Sequence, residues 1–368
     1  MNEVNEALGA VCVLHGGTEK TGSTSLQRFL ALNAAELACQ SIWVPRCLVP
    51  DPVRGPYNHT LLITSSRLSI DEPDDLQAAL GLTTMEDVAR HRQEIIRALA
   101  LEYAELGFIP SKIIVSSEHV HSRLKSCEDL ENAKALLQPY CGEFEVFVYL
   151  REQADLAQSL AITSVRSGAT ELRQIPDFST PNGFDPFLGV DFNYFDYASL
   201  LERLGAVFGE AALRVRLYER AELRNNNVID DFFDQIDLNI QRWRRPEREN
   251  PGLNLVAALF LVHVNKQLTP KEEFVEVRSK IIDVLNQKYA GSLPTAPDLE
   301  RNKFMMQFFK SNAVVRRRWF PGRQSLFRRN IKASMEESPP LDLSMDDVFQ
   351  KIFSDVSIQS ELPYKIGL

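Results

Sequence analysis

A short stretch near the N-terminus combines the residue types that bind a phosphate group. Residues 10–33 read AVCVLHGGTEKTGSTSLQRFLALN, an apolar run, then a turn rich in Gly, Thr and Ser, then an apolar-periodic segment. A strand that leads through such a turn into a helix points backbone N–H groups and the positive end of the helix dipole at an anion. Further hydroxyl donors come from Thr21, Ser23, Thr24 and Ser25.

The lysine of this turn does not stand where nucleotide-binding loops place it. The ATP/GTP loop reads G-x-x-x-x-G-K-[ST], with lysine directly after the second glycine. Gly17 and Gly22 have the required spacing, but Ser23 occupies the lysine position and the lysine of the turn is Lys20. At the apex of the turn, Lys20 is placed to reach an oxygen that bridges two acidic groups. The alternative is a solvent-exposed lysine in a strand–helix turn.

A second candidate pair consists of Arg151 and Ser159. A strand is predicted to end at Arg151, and Ser159 follows eight residues later. On a helix that starts just after Arg151, this spacing is roughly two turns, so both side chains can converge on one group. A guanidinium fork with a hydroxyl suits a phosphate. The alternative is a structural arginine at a strand end.

The elements that must position these residues follow an alternating pattern. Strands are predicted at 10–15, 112–118, 145–151 and 213–219. The first three are nearly continuous apolar runs, typical of strands buried on both faces of a parallel sheet, and the fourth alternates like an edge or half-covered strand. Helices are predicted after the turn and over 85–106, 152–166 and 193–207. This order predicts an α/β fold, with right-handed βαβ units in a doubly wound parallel sheet flanked by helices.

Two segments interrupt the pattern in the way that loops over one end of the sheet, or a lid over a substrate, would. Residues 40–84 are rich in Pro, Ser, Asp and Arg and predict loops with short helices; residues 169–192 are turn-rich with bulky aromatics. Residues 250–336 are predicted to be mainly helical and 337–368 to form a polar tail. We therefore expect one domain over 1–336.

The turn and the Arg151/Ser159 pair together resemble two motifs of sulfotransferases that use 3′-phosphoadenylyl sulfate (PAPS): the 5′-phosphosulfate loop and the 3′-phosphate motif. The loop has the form T-x-K-x-G-x-T, with Thr18, Lys20, Gly22 and Thr24 at its fixed positions. SSEHV at 116–120 and the segments 193–219 and 308–327 are similar to bacterial and carbohydrate-type members. The resemblance covers roughly residues 10–330.

This resemblance implies a P-loop-type enzyme that transfers a sulfuryl group from PAPS, its co-substrate, to a hydroxyl or amine of an acceptor. The acceptor would be a small molecule or glycan, with a saccharide or glycoconjugate favoured, and the segments 40–84 and 169–192 would be the loops that bind it. Lys20 would meet the bridging oxygen, Arg151 and Ser159 the 3′-phosphate, and no metal is required. The family's C-terminal Arg-Lys-Gly is absent; the RRRWFPGR run at 316–323 either replaces it or is a solvated basic helix face.

Transfer also needs a group that takes the acceptor's proton. The predicted strand 112–118 ends in SSEH, which places Glu118 and His119 at the carboxyl edge of the sheet. Members of the family use Glu or His near this point, and Glu118 is favoured over His119. The alternative role of Glu118 is to cap the next helix. His15, His59 and His121 are expected to be structural or solvent-exposed.

The composition of the chain argues against several other classes of protein. A net charge of −9 argues against a general nucleic-acid binder. Five cysteines without a C-x-x-C spacing argue against a disulfide scaffold or zinc site and suit the cytoplasm. No stretch has the length and hydrophobicity of a membrane span. Two alternatives stay open, a P-loop kinase and a non-catalytic nucleotide-binding protein; the missing GK[ST] lysine counts against the kinase.

Overall fold

The computed structural model describes residues 9–51, 53, 55–70, 75–180, 183–247, 252–267, 275–328 and 352. The chain divides into two compact units. The first comprises residues 1–151, 196–247 and 317–321, and the second 152–195, 248–316 and 322–368. The predicted tail 337–368 lies outside the described residues apart from Ile352. The prediction of one domain over 1–336 stays a prediction.

The first unit contains a five-stranded parallel sheet flanked by helices, which confirms the predicted α/β class. Its strands are β1 (Val11–His15), β2 (Ile42–Trp43), β3 (Lys112–Ser116), β4 (Glu143–Leu150) and β7 (Leu213–Leu217), in the spatial order β2-β3-β1-β4-β7. Every neighbouring pair is parallel. Two more strands, β5 (Phe184–Asp185) and β6 (Val190–Asp191), form a small antiparallel pair in the second unit.

The described helices are α1 (Ser23–Leu32), α2 (Ala34–Cys39), α3 (Thr60–Ser66), α4 (Asp75–Ala79), α5 (Met85–Ala104), α6 (His119–Arg123), α7 (Cys127–Leu137), α8 (Gln153–Arg166), α9 (Tyr197–Phe208), α10 (Val228–Gln235), α11 (Leu255–Gln267), α12 (Val275–Lys288), α13 (Asp298–Gln307) and α14 (Phe309–Trp319). None of these helices combines the length and the hydrophobicity that crossing a membrane requires.

The predicted strands are confirmed, with shifted ends. The second ends at Ser116, so Glu118 lies two residues beyond it, and the third begins earlier, at Glu143, and ends at Leu150, so Arg151 follows it directly. Of the two alternatives that its alternation left open, β7 is an edge strand. The other edge strand, β2, lies inside the segment 40–84, where loops and short helices were expected; α3 and α4 are the short helices there.

The helix after the turn is held by an apolar core. Leu26, Phe29 and Leu30 of α1 are fully buried and pack in one cluster with Val13 of β1 and Phe232 of α10. Burying a side chain of this size stabilises a fold by about 1.5–3 kcal/mol. The core therefore fixes α1, and with it the turn that precedes α1, against the sheet.

A buried polar network joins β4, β7 and α10. Asp231 is fully buried and accepts hydrogen bonds from the Tyr149 hydroxyl (2.9 Å), Nε of Arg216 (3.0 Å) and the backbone N–H of Arg224 (3.0 Å). A buried carboxylate is tolerated only when such donors compensate for the loss of water. The network therefore fixes the edge strand against β4.

The second unit has its own core, formed chiefly by α8, α11 and α12. Val165, Phe260, Leu261, Ile281 and Leu285 are buried together in one cluster. Nδ2 of Asn265, on α11, donates to the backbone oxygens of Val165 and Ala169 at 2.8 Å each, which attaches α11 to the end of α8. Arg301 of α13 binds Glu152 and Asp155 at the other end of α8.

Candidate functional site

The turn after β1 is hydrogen-bonded to the neighbouring strand β4. The backbone N–H of Gly16 donates to the oxygen of Phe147 (3.0 Å), that of Tyr149 to Gly17 (2.7 Å) and that of Thr18 to Tyr149 (2.8 Å). The parallel pairing of β1 with β4 thus continues beyond the end of β1. The hydroxyl of Thr18 adds a bond to the Tyr149 oxygen at 3.0 Å.

Beyond Thr18 the chain turns sharply into α1. Lys20 and Gly22 have φ values of 61° and 80°, in the left-handed region, and α1 begins at Ser23. A Cβ added at Gly22 would lie 2.9 Å from Cγ1 of Val228 on α10, so the position requires glycine. The first N–H groups of a helix have no acceptor within it, and here they follow the turn directly.

The predicted hydroxyl donors lie in different environments. The hydroxyl of Thr21 donates to the backbone oxygen of Thr18 at 2.5 Å, so in this structure its proton is used within the turn. Ser23 is buried, whereas Thr24 and Ser25 are exposed on the first turn of α1. Their binding roles stay predictions.

Arg151 lies beside the turn. Its Nη1 donates to the backbone oxygen of Lys20 at 2.9 Å, and its own backbone oxygen accepts from the hydroxyl of Tyr197 at 2.5 Å. The guanidinium therefore stabilises the turn and lies next to Lys20. Ser159 is on α8, as predicted, but belongs to the second unit, so its pairing with Arg151 stays a prediction.

Tyr218 lies at the candidate site, although the sequence did not indicate it. Its ring centre lies 5.9 Å from Cζ of Arg151, and a Cβ added at Gly22 would lie 3.3 Å from its hydroxyl oxygen. The phenol is thus close both to the arginine and to the start of α1. In the sequence Tyr218 merely follows an edge strand, and only the pairing of β7 with β4 places it here.

Glu118 lies on the side of the turn opposite Arg151, because β3 and β4 flank β1 on its two sides. It does not cap α6 with its side chain. Its two carboxylate oxygens accept from different amides instead, Oε2 from Nε2 of Gln27 (2.6 Å) and Oε1 from Nδ2 of Asn58 (3.3 Å). Gln27 is on α1, so the carboxylate is held against the helix that follows the turn.

His119 interacts with the turn through a charged cluster. Its Nδ1 lies 2.9 Å from Nη1 of Arg123 and 3.4 Å from Oε1 of Glu19, and Arg123 also contacts Asp75 at 2.6 Å. Burial alone would raise the pKa of Glu19, but hydrogen bonds from His119 and Ser122 outweigh it and hold that pKa well below its usual range. The cluster joins α6 to the residue before Lys20.

The three other histidines considered above are buried rather than exposed. His15 and His59 both contact Ser116, through its hydroxyl (2.8 Å) and its backbone N–H (3.0 Å) respectively. Burial lowers the pKa of each ring to about 4. Both are therefore neutral at pH 7, and with His121, which is also buried, they fit the structural interpretation.

The aromatic side chains of the expected acceptor loops lie mostly in packed surroundings. Trp43 and Tyr57 are buried in the first unit. In the second unit, Phe178 contacts other phenylalanine rings and Phe187 lies under Arg173, while Phe184 is exposed. In the basic run, Arg316 donates to the backbone oxygen of Arg323 (2.7 Å). Its predicted role at the 3′-phosphate stays a prediction.

No family model matches the chain. An uncharacterized protein of Archaeoglobus fulgidus is 32% identical over 131 residues, which is 34% of this chain and about a third (36%) of that protein's length. The crystal structure of a sulfotransferase from Alicyclobacillus acidocaldarius covers 72% of this chain and 94% of its own, with a TM-score of 0.37 and 16% identity. A likeness at this level carries no argument about fold or activity.

The left-handed turn predicts the effect of a substitution at Gly22. Gly22→Ala should lower the free energy of unfolding by about 2 kcal/mol, because backbone strain adds to the contact with Val228. Gly81→Ala is the matched control: φ is +68° but no atom lies within 4 Å of the added Cβ, so strain alone should cost about 1 kcal/mol. Denaturant unfolding measures both, and equal losses would contradict the close packing of the turn.

The lowered pKa of Glu19 predicts a pH-dependent contribution to stability. A carboxyl whose pKa is lower in the folded state stabilises the fold above its unfolded pKa, and the stabilisation is lost as the pH falls through the folded value. Glu19→Gln should therefore reduce the unfolding free energy by about 1 kcal/mol at pH 7, and by progressively less below about pH 4. Glu131→Gln, at an exposed site on α7, is the control and should show no such difference. A pH-independent loss in Glu19→Gln would contradict the charged cluster.

Proposed function

We propose that this protein is a sulfotransferase that moves a sulfuryl group from PAPS to a hydroxyl or amine of an acceptor, with a saccharide or glycoconjugate favoured. The observation that carries the proposal is the meeting of three groups at neighbouring strand ends. The turn with Lys20 follows β1, Arg151 follows β4 and is bonded to that turn, and Glu118 follows β3 and is bonded to α1. These are an anion-binding turn, an anion-binding side chain and a proton acceptor.

In the proposed reaction, the residues supply charge and position. The bond between sulfur and the bridging oxygen of the donor breaks, a new sulfur–oxygen or sulfur–nitrogen bond forms to the acceptor, and the acceptor's proton passes to Glu118. Negative charge grows on the leaving 5′-phosphate, where the N–H groups at the start of α1 and the ammonium of Lys20 would stabilise it. Such fixed donors provide much of the catalysis in the related transfer of phosphoryl groups.

The donor's second phosphate gives the proposal its specificity. Adenosine 3′,5′-bisphosphate is what remains of the donor after transfer; the turn would bind its 5′-phosphate and Arg151 its 3′-phosphate. The Tyr218 phenol lies next to both Gly22 and Arg151 and would contact the part of the nucleotide between the two phosphates. Ser159 would add a hydroxyl to the 3′-phosphate. A nucleotide with a free 3′-hydroxyl would leave the guanidinium without its anion.

Calorimetric titration tests the nucleotide class. The full chain should bind adenosine 3′,5′-bisphosphate more tightly than AMP or ATP, because only the bisphosphate reaches both anion-binding elements. Arg151→Ala should weaken binding of the bisphosphate by about 10- to 100-fold and binding of AMP much less, since a charge-assisted hydrogen bond contributes about 1.5–3 kcal/mol. Arg214→Ala is the control, because Arg214 pairs with Glu145 near the amino end of β7, opposite the site.

Two results would contradict the nucleotide assignment. Equal losses for bisphosphate and AMP in Arg151→Ala would place the 3′-phosphate elsewhere. Preference for ATP with magnesium would favour the kinase alternative, and transfer activity that persists in excess chelator would exclude that alternative. Tight bisphosphate binding without turnover on any acceptor would favour the non-catalytic alternative.

Lys20→Ala tests the chemistry. Removal of the ammonium should lower the rate of sulfuryl transfer by about 10²- to 10³-fold, the usual effect of losing one charge-stabilising donor. The thermal midpoint should change little, because Lys20 is only half-buried. Lys112→Ala, at the amino end of β3, should leave the rate unchanged. A wild-type rate in Lys20→Ala would refute the role of the turn.

A further inference from the structure

The carboxylate of Glu118 is held in a way that the proposed reaction does not by itself require. Each oxygen accepts one hydrogen bond, from Gln27 at 2.6 Å and from Asn58 at 3.3 Å. Both partners are neutral amides. A neutral amide orients a carboxylate without the full attraction of an adjacent positive charge, and each oxygen keeps a second lone pair.

The two amides come from different elements, and each is fixed by its surroundings. Gln27 is 1% exposed and lies on the buried side of α1, one turn after Ser23. Asn58 lies in the loop before α3, between two backbone anchors. The N–H of Tyr57 donates to the oxygen of Gln27 (3.1 Å), and the N–H of His59 donates to the oxygen of Ser116 (3.0 Å).

The side-chain amide of Asn58 is oriented towards Glu118. Its Oδ1 is buried and has no hydrogen-bond partner within the described part of the chain, while its Nδ2 donates to Glu118. A buried amide oxygen without a donor is unfavourable. The amide of Asn58 thus donates to the carboxylate while its own oxygen accepts no hydrogen bond, as expected of a residue whose role is to hold Glu118.

We propose that Gln27 and Asn58 are positioning residues that aim the carboxylate of Glu118 at the acceptor. This inference rests on the proposed function. Gln27 attaches Glu118, the proposed proton acceptor, to α1, and the first turn of α1 would face the donor. The base and the donor-binding turn therefore share one rigid helix. A positioning error of about 1 Å in such a group costs up to about 10²-fold in rate.

The contact between positions 27 and 118 can be tested without any activity assay. Gln27→Glu places a second carboxylate beside Glu118 and should lower the thermal midpoint. Adding Glu118→Gln to this variant restores an amide–carboxylate pair with its roles exchanged, and should recover at least half of the loss. Gln40→Glu, the same charge change at an exposed position after α2, should have no effect. Failure of the exchange to recover stability would overturn the inference.

The role of the contact is tested by steady-state kinetics. Asn58→Leu, which keeps side-chain size but removes the donor, should lower kcat by about 10- to 100-fold while affinity for adenosine 3′,5′-bisphosphate stays within about twofold. The exchanged double variant should regain stability but not transfer. A purely structural role would instead leave kcat unchanged, or weaken nucleotide binding in parallel with it.

The outcomes separate this inference from the function on which it rests. A wild-type chain that neither binds the bisphosphate nor transfers a sulfuryl group would overturn the proposed function, and the positioning role with it. An active wild type with an equally active Asn58→Leu variant would overturn the positioning role alone.

Discussion

The parallel hydrogen bonding between β1 and β4 continues past the end of β1, and the candidate site depends on that continuation. Bonds at Gly16, Gly17 and Thr18 fix the backbone against Phe147 and Tyr149. The chain is then left with only residues 19–22 in which to enter α1, and left-handed conformations at Lys20 and Gly22 accomplish this. The conformation of the turn is thus set by the sheet on one side and by the buried face of α1 on the other, so the fold itself fixes the orientation of its N–H groups.

The same sheet explains why residues far apart in sequence meet. In a parallel sheet all carboxyl ends lie at one edge, and β3, β1 and β4 are neighbours in that order. The segments after these strands carry Glu118, Lys20 and Arg151, so the strand order alone makes them adjacent. The proposed anion site is compatible with a net charge of −9 for the whole chain. Its positive potential would come from local groups, the helix dipole and the guanidinium, rather than from the protein as a whole.

The sequence predicted those parts of the site that depend on local patterns. The apolar run before the turn and the stripe of α1 indicated both elements because burial dictates them residue by residue. The two-residue strand β2 carries no comparable pattern, since a pair such as Ile42–Trp43 is too short to show a period. Gln27, Asn58 and Tyr218 were missed for another reason. Each is an ordinary polar or aromatic residue in its own segment, and only the strand register and the packing of loops bring it to the candidate site. Gln27 is 91 positions from Glu118 in the sequence, and Asn58 is 60 positions from it.

The surroundings of Glu118 and His119 favour the carboxylate as the proton acceptor in the proposed reaction. Nδ1 of His119 lies 2.9 Å from Nη1 of Arg123 and 3.4 Å from Oε1 of Glu19, so this nitrogen is already part of the charged cluster. Glu118 is held by neutral amides instead, which occupy one lone pair of each carboxylate oxygen. His119 thus joins α6 to the turn, and in the proposed reaction Glu118, whose oxygens each keep a second lone pair, receives the proton.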